Sequence, residues 1–156
     1  MQILETLRIR LRGKIAILGI GNTLKGDDGV GALLASRLSG RINCLTYDCG
    51  VAPENFLGKV IKDKPETVVI VDAADFRGKK GEFRVFEPET INREGLFFTH
   101  NSSLELVINF LQSNGMDNII ILAIQPKSIR LGEGLSKEVE ASLNDLEEWF
   151  GRHFKK

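Results

Sequence analysis

Asp27 and Asp28 stand side by side in GNTLKGDDGVG, residues 21–31. The frame of this stretch, Gly21 then four residues then Gly26, matches the opening of the phosphate-cradling loop G-x-x-x-x-G-K-[ST]. Where that loop carries Lys and a hydroxyl, this one carries two acids. Two carboxylates about 4 Å apart repel by roughly 4 kcal/mol at an effective dielectric of 20, so such a loop rejects a phosphate and calls for a cation or a proton. His100, in FFTHNSS, is one of two histidines in the chain; the other, His153 in RHFKK, reads as surface decoration. Two carboxylates and one imidazole, with coordination positions left open, suit a borderline divalent ion such as nickel, zinc, iron or manganese.

Each of these residues also has a plain structural reading. Asp27 or Asp28 can cap the helix that follows, where free amides and the helix dipole favour a carboxylate. Asp48 and Asp75 can organise turns, and His100 can hold a backbone carbonyl. Cys49, beside Asp48, can be a soft ligand, but a small buried packing residue is the favoured reading. Ser102 and Ser103 near His100 raise the thought of a serine hydrolase, yet the nucleophile elbow G-x-S-x-G is absent from the chain.

The elements that must position these groups alternate between strand and helix. KIAILGI (14–20) reads as a buried strand, followed by a helix over 28–39 with Val30, Leu33, Leu34 and Leu38 on one face. INCLTYD (42–48) is a second strand, and Pro53 suits the first turn of a helix carrying Phe56, Leu57, Val60 and Ile61. TVVIVDA (67–73) is the most strand-like run, while EFRVFEP (82–88) alternates like an edge strand ended by Pro88. A helix over 102–114, capped near Asn101 or Ser102, a strand NIIILAIQP (118–126) and a helix near 135–150 complete the pattern. Continuously apolar strands predict a three-layer α/β fold: a twisted, mostly parallel sheet of about five strands with helices on both faces. The basic N-terminal piece, with Leu4, Leu7 and Leu11 at helical spacing, reads as an appended or frayed helix in preference to a docking arm for a partner.

In an open parallel sheet, ligands gather at the carboxyl ends of the strands. Strand one runs into Asp28 with Asp27 beside it, strand two ends in Asp48, strand three ends in Asp72, and Asp75 lies three residues on. The acids thus share one rim, which answers the puzzle of the first loop: its shape is kept and its charge inverted.

Bulk properties narrow the function classes. The 156 residues make one domain, with 21 basic and 21 acidic side chains balancing to zero, which argues against nucleic-acid and membrane partners. No apolar run approaches the roughly 18 residues of a spanning helix, and the N-terminus lacks a signal peptide's apolar core. Two cysteines, Cys44 and Cys49, do not make a disulfide framework, so a cytoplasmic protein with free thiols is expected.

GIGNTLKGDDGVG, DCG followed by APEN, VIVDAADF, GEFRVFEP, THNSSLELV and LAIQP occur in an order that resembles the [NiFe]-hydrogenase maturation endopeptidases, most of all the hydrogenase-3-type branch. The likeness spans residues 14–150, leaving 1–13 as an N-terminal extension of a single-domain chain. It implies a peptide-bond hydrolase of aspartic type that removes the C-terminal extension of a hydrogenase large-subunit precursor once nickel has been inserted. The family's metal-recognising acid falls on Asp28, its second acid on Asp72 and its histidine on His100, with Asp28 and Asp72 as the catalytic candidates. The aspartate that precedes paired glycines in the family falls on Asp48, a secondary metal candidate. Nickel is then supplied by the substrate and no organic cofactor is tightly bound; the enzyme is expected to be a monomer. The ion can act as a Lewis acid on the scissile carbonyl, or orient a water that an aspartate deprotonates. One departure stands out: the paired glycines are here Cys49 and Gly50, which puts the shape of that loop in question. Two other readings compete. A nickel-sensing chaperone of the precursor that cuts nothing would use the same three ligands, and a nucleotide-binding domain would need the phosphate affinity that Asp27 and Asp28 oppose.

Overall fold

A computed structural model describes residues 2–92 and 95–156. The continuously apolar runs form the centre of a six-stranded sheet: β1 (Ile15–Ile20), β2 (Leu45–Gly50), β3 (Thr67–Asp75), β4 (Phe83–Phe86), β5 (Phe97–Phe98) and β6 (Asn118–Ile124). The strand order is β2-β1-β3-β6-β4, with β5 paired to the end of β3. Pairings β1–β2, β1–β3 and β3–β6 are parallel, whereas β4 runs antiparallel to β6 and β5 antiparallel to β3. The expected architecture is therefore present, with EFRVFEP at the sheet edge as its alternation required. Two-residue β5 has no periodicity to read, which is why it escapes a sequence-based expectation.

Helices α1 (Gln2–Arg10), α2 (Val30–Leu38), α3 (Leu57–Asp63), α4 (Asn101–Ser113) and α5 (Lys137–His153) cover both faces. Period-two alternation along the strands sorts the core into two layers. Ala16, Leu18, Ile20, Val68 and Ile70 face α3 and α4 through Leu57, Val60, Leu104 and Leu111. Ile15, Ile17, Val69 and Val71 face α1, α2 and α5 through Leu7, Leu34, Leu143 and Phe150. Among the described residues no helix is long and apolar enough to cross a membrane.

The N-terminal helix differs from the frayed extension its position suggests. Leu7 is fully buried and Leu11 nearly so, both within the second core layer. Arg10 pairs with Glu87 and also donates to Asn118 Oδ1 at 3.0 Å, while the Asn118 amide returns a bond to the Arg10 carbonyl at 2.9 Å. Burial of the leucines and these long-range bonds hold a terminus that composition alone leaves free.

Strand order places the site. The chain passes from β1 through α2 on one face to β2, then through α3 on the opposite face to β3 on the far side of β1. The chain leaving β1 enters α2 on one face and the chain leaving β3 leads on to α4 on the other, so the connections diverge at the carboxyl ends of β1 and β3 and open the crevice typical of a topological switch point. Gly31 lets the first turn of α2 come down onto the sheet at that place: a Cβ there would lie 2.2 Å from the Val71 carbonyl oxygen.

Candidate metal centre

Asp28, Asp72 and His100 each reach the crevice from a different connection. Asp28 belongs to a 3-10 turn, Gly26–Gly29, between β1 and α2; Asp72 lies within β3; His100 is the residue preceding the first turn of α4. One ligand atom from each lies within 4.8 Å of the others, the one such group of three among the described residues. They span 72 positions of sequence, and parallel pairing of β1 with β3 brings the first two together.

Hydrogen bonding leaves this group unfinished on its inner side. Asp28 Oδ2 accepts from the Asn22 amide at 3.1 Å, and Asp72 Oδ1 accepts from the Ala73 amide at 2.8 Å. Their remaining oxygens, Asp28 Oδ1 and Asp72 Oδ2, are buried without a partner, and so is His100 Nδ1. The His100 Nδ1 to Asp72 Oδ2 separation is 3.9 Å, close enough for charge attraction and too long for a hydrogen bond. Buried polar atoms are almost always satisfied, and each orphan costs about 1–3 kcal/mol. Three such atoms converging on one point form a donor set that a single cation could share.

Electrostatics agree. Asp72 is completely buried, and loss of hydration pushes its carboxyl up to about 7 despite the opposing pull of His100. The Asp72 carboxylate beside it raises the His100 imidazole above its usual range, burial acting in the opposite sense. Both shifts favour the protonated form in the absence of an ion. Two carboxylate oxygens and one imidazole nitrogen fit a borderline divalent ion, and three donors leave room for further ligands.

Other rim residues turn out to be structural. Asp27, adjacent to Asp28 and equally buried, points away from the crevice and accepts four hydrogen bonds from Lys127, Ser128 and Ser136. Neither aspartate supplies the side-chain cap that the following helix would accept. Asp48 does not join the cluster: it is exposed, and its Oδ1 accepts from the Gly50 amide at 3.2 Å, an Asx-type turn. Its strand-end position is right, but β2 lies on the far side of β1 from β3, so the secondary metal candidate is displaced from the group. Asp75 is likewise exposed and holds the Arg77 amide at 3.0 Å. His153 is exposed and stacks on Trp149 with ring centroids 4.6 Å apart. The cap expected from Asn101 or Ser102 concerns side chains outside the described residues.

Cys49 resolves the departure from paired glycines. A register shift between Gly19 and Ile20 leaves Cys49 as the extra residue of β2, and its side chain turns into the core beneath α3, where burial lifts the thiol to about 12. Gly50 alone takes the left-handed conformation, φ 53°, and its carbonyl accepts from the Gly21 amide at 2.8 Å. One glycine is enough to shape the loop when the preceding side chain can be buried.

Gln125, in LAIQP, is a supporting residue whose role the sequence does not disclose. Buried at the end of β6, it accepts from the Phe76 and Gly78 amides at 2.9 and 3.0 Å and donates to Asp75 at 3.1 Å, fixing the chain beyond Asp72. Beside the cluster lies an open cavity of about 270 Å³, whose walls include Ala73 and Thr99, the sequence neighbours of Asp72 and His100.

With this geometry in hand, similarity to known proteins is specific. A family model described as "Hydrogenase maturation protease" matches residues 30–151. The hydrogenase 3 maturation protease of Escherichia coli K12 is 33% identical over 141 residues, covering 86% of this chain and 90% of that protein. A putative hydrogenase maturation protease of Methanocaldococcus jannaschii is 34% identical over 144 residues, covering 85% and 83%. The crystal structure of a [NiFe] hydrogenase maturation protease, HycI, from Thermococcus kodakarensis superposes with a TM-score of 0.81 at 31% identity, covering 94% of this chain and 97% of that one.

Proposed function

The chain belongs to the hydrogenase maturation protease family, and from that premise we propose that it cuts the C-terminal extension from a [NiFe]-hydrogenase large-subunit precursor after nickel insertion, recognising the inserted nickel. The observation that carries this reading is the convergence of three buried, unpartnered ligand atoms, Asp28 Oδ1, Asp72 Oδ2 and His100 Nδ1. Three donors leave coordination positions for further ligands, which suits an ion that arrives already held by the substrate's own side chains. Nickel is thus part of the substrate, and the enzyme asks whether it is there.

The chain's own groups then divide the work. Asp28 and His100 complete the ion's coordination from the two walls of the crevice, fixing the precursor chain at the end of β1 and β3. Asp72, held at one oxygen by the Ala73 amide, keeps the other free. Asp72, with that oxygen turned to the crevice, is the group that takes a proton from the attacking water and returns it to the leaving amine. Without nickel in the precursor, Asp28, Asp72 and His100 have no ion to ligate, and the scissile bond is not positioned.

Incubating the protein with its large-subunit precursor, with and without nickel, and reading the products by mass tests this directly. Loss of a defined C-terminal peptide from the nickel-loaded precursor alone is the expected result. Binding of that precursor without cleavage would establish the chaperone reading instead.

A further inference from the structure

Asp27 is not used by the reaction just described, yet it is fully buried and more completely hydrogen-bonded than any acid of the cluster. Its Oδ2 accepts from the Lys127 amide at 2.8 Å, the Ser128 amide at 3.2 Å and the Ser136 hydroxyl at 2.9 Å; its Oδ1 accepts from the Ser136 amide at 2.7 Å. One carboxylate therefore grips both ends of residues 127–136, a segment outside the helices and strands that is otherwise largely exposed. Backbone bonds add to the grip: Asp27 N to Ser128 O, Gly26 N to Glu133 O and Gly132 N to Leu24 O. The result is a wall standing on the rim of the crevice.

That wall presents apolar groups to solvent. Leu131 and Leu24 are among the most exposed large hydrophobics of the chain, and Ile129 lines the 270 Å³ cavity opposite exposed Phe97. The cavity lies just below the roughly 300–1,000 Å³ of a small-molecule pocket, so it has room for a side chain or two of a passing polypeptide. Ala73 and Thr99 in its lining are the sequence neighbours of Asp72 and His100, which puts the cavity beside the metal centre although none of the three ligands lines it.

We propose that Asp27 is a positioning residue for substrate: by fixing residues 127–136 on the rim, it holds Ile129 against the cavity and builds the docking wall for an apolar, extended segment of the precursor next to the scissile bond. This rests on the functional reading above, since the occupant is the chain that carries the nickel. The pair of aspartates is thus split in purpose, Asp28 facing the ion and Asp27 facing the wall that guides the polypeptide to it.

Steady-state cleavage of the nickel-loaded precursor by wild type, Asp27→Asn and Ile129→Ser tests the assignment. An amide at position 27 puts an N–H against backbone donors and releases the wall; serine at 129 removes apolar contact from the exposed lining without emptying the core. Both variants are expected to raise KM about tenfold while kcat stays within about threefold, and nickel(II) titration of the free Asp27→Asn protein should match wild type. A purely structural role would instead lower the active fraction and leave KM alone. Wild type that cuts, with KM unchanged in Ile129→Ser, overturns the inference by itself, even if Asp27→Asn fails to fold. Wild type that does not cut overturns the functional reading and the inference together.

Discussion

The surroundings of Asp27 and Asp28 differ as much as two buried carboxylates can. Consecutive in sequence and both fully buried, one accepts four hydrogen bonds and the other keeps an oxygen with none. The first is locked by donors from a distant segment; the second faces Asp72 and His100 across a crevice. What distinguishes a structural acid from a chemical one here is the supply of N–H and O–H donors, set by which way each side chain leaves a single 3-10 turn.

If the contrast is real, the largest effects come from the unsatisfied side. Asp28→Asn and His100→Ala should each reduce processing of nickel-loaded precursor by at least about a thousandfold. Neither empties the core, so denaturation should show a stability change of no more than about 2 kcal/mol. Near-normal cleavage by either variant would remove the crevice from the mechanism.

Metal dependence sharpens the same side. A chelator-treated enzyme should cut a precursor that already contains nickel and leave a nickel-free precursor whole. Rescue of the nickel-free precursor by loading the enzyme with nickel or zinc would make this an ordinary metalloprotease and refute recognition of substrate-held metal.

Stability against pH reads the orphaned pair without any substrate. Asp72, raised from 3.8 to about 7, favours the folded state while protonated, so its contribution is present below about pH 4 and lost as pH rises through 7. His100, raised by Asp72, acts in the same direction: its stabilisation is present below the usual imidazole range and lost at higher pH. The metal-free protein should therefore lose stability in chemical denaturation between pH 5 and 8. Asp72→Asn should flatten that slope and be more stable than wild type at pH 8, by at most about 4 kcal/mol. A wild-type profile rising with pH would contradict the assignment.

The smallest effect concerns Cys49. Its thiol, lifted to about 12 by burial, should resist alkylation in the native protein at pH 8 and react after denaturation. Cys49→Ala should cost about 1 kcal/mol and leave processing unchanged, since the side chain packs under α3 away from the crevice. Rapid native-state alkylation with loss of activity would bring the thiol back into the site.

Asp28 and Asp72 were legible from chain position because in a parallel sheet the end of an apolar run is also a place in space, whereas His100 was legible only as one of two histidines. The runs 67–73 and 118–126 could hardly be anything but buried strands, and acids at such ends must share a rim. Asp48 satisfied the same rule and still fell outside the group, since the rule gives the rim and strand order decides which neighbours meet. Leu7 and Leu11 carried helical spacing, but whether a terminal helix docks depends on a complementary groove that only the assembled sheet provides.

By itself, then, the sequence determined the alternating elements, the parallel sheet and the acid-bearing rim, because hydrophobic period and strand-end residue are local properties. Tertiary structure alone decided that Asp27 turns to Ser128 and Ser136 while Asp28 turns to the crevice, that Cys49 goes inward, and that Gln125 braces the chain after Asp72. The turns taken by Asp27 and Gln125 depend on hydrogen-bond partners 49 to 109 residues away, and the burial of Cys49 on a core assembled from distant elements; no pattern within a window of sequence encodes where such partners will be.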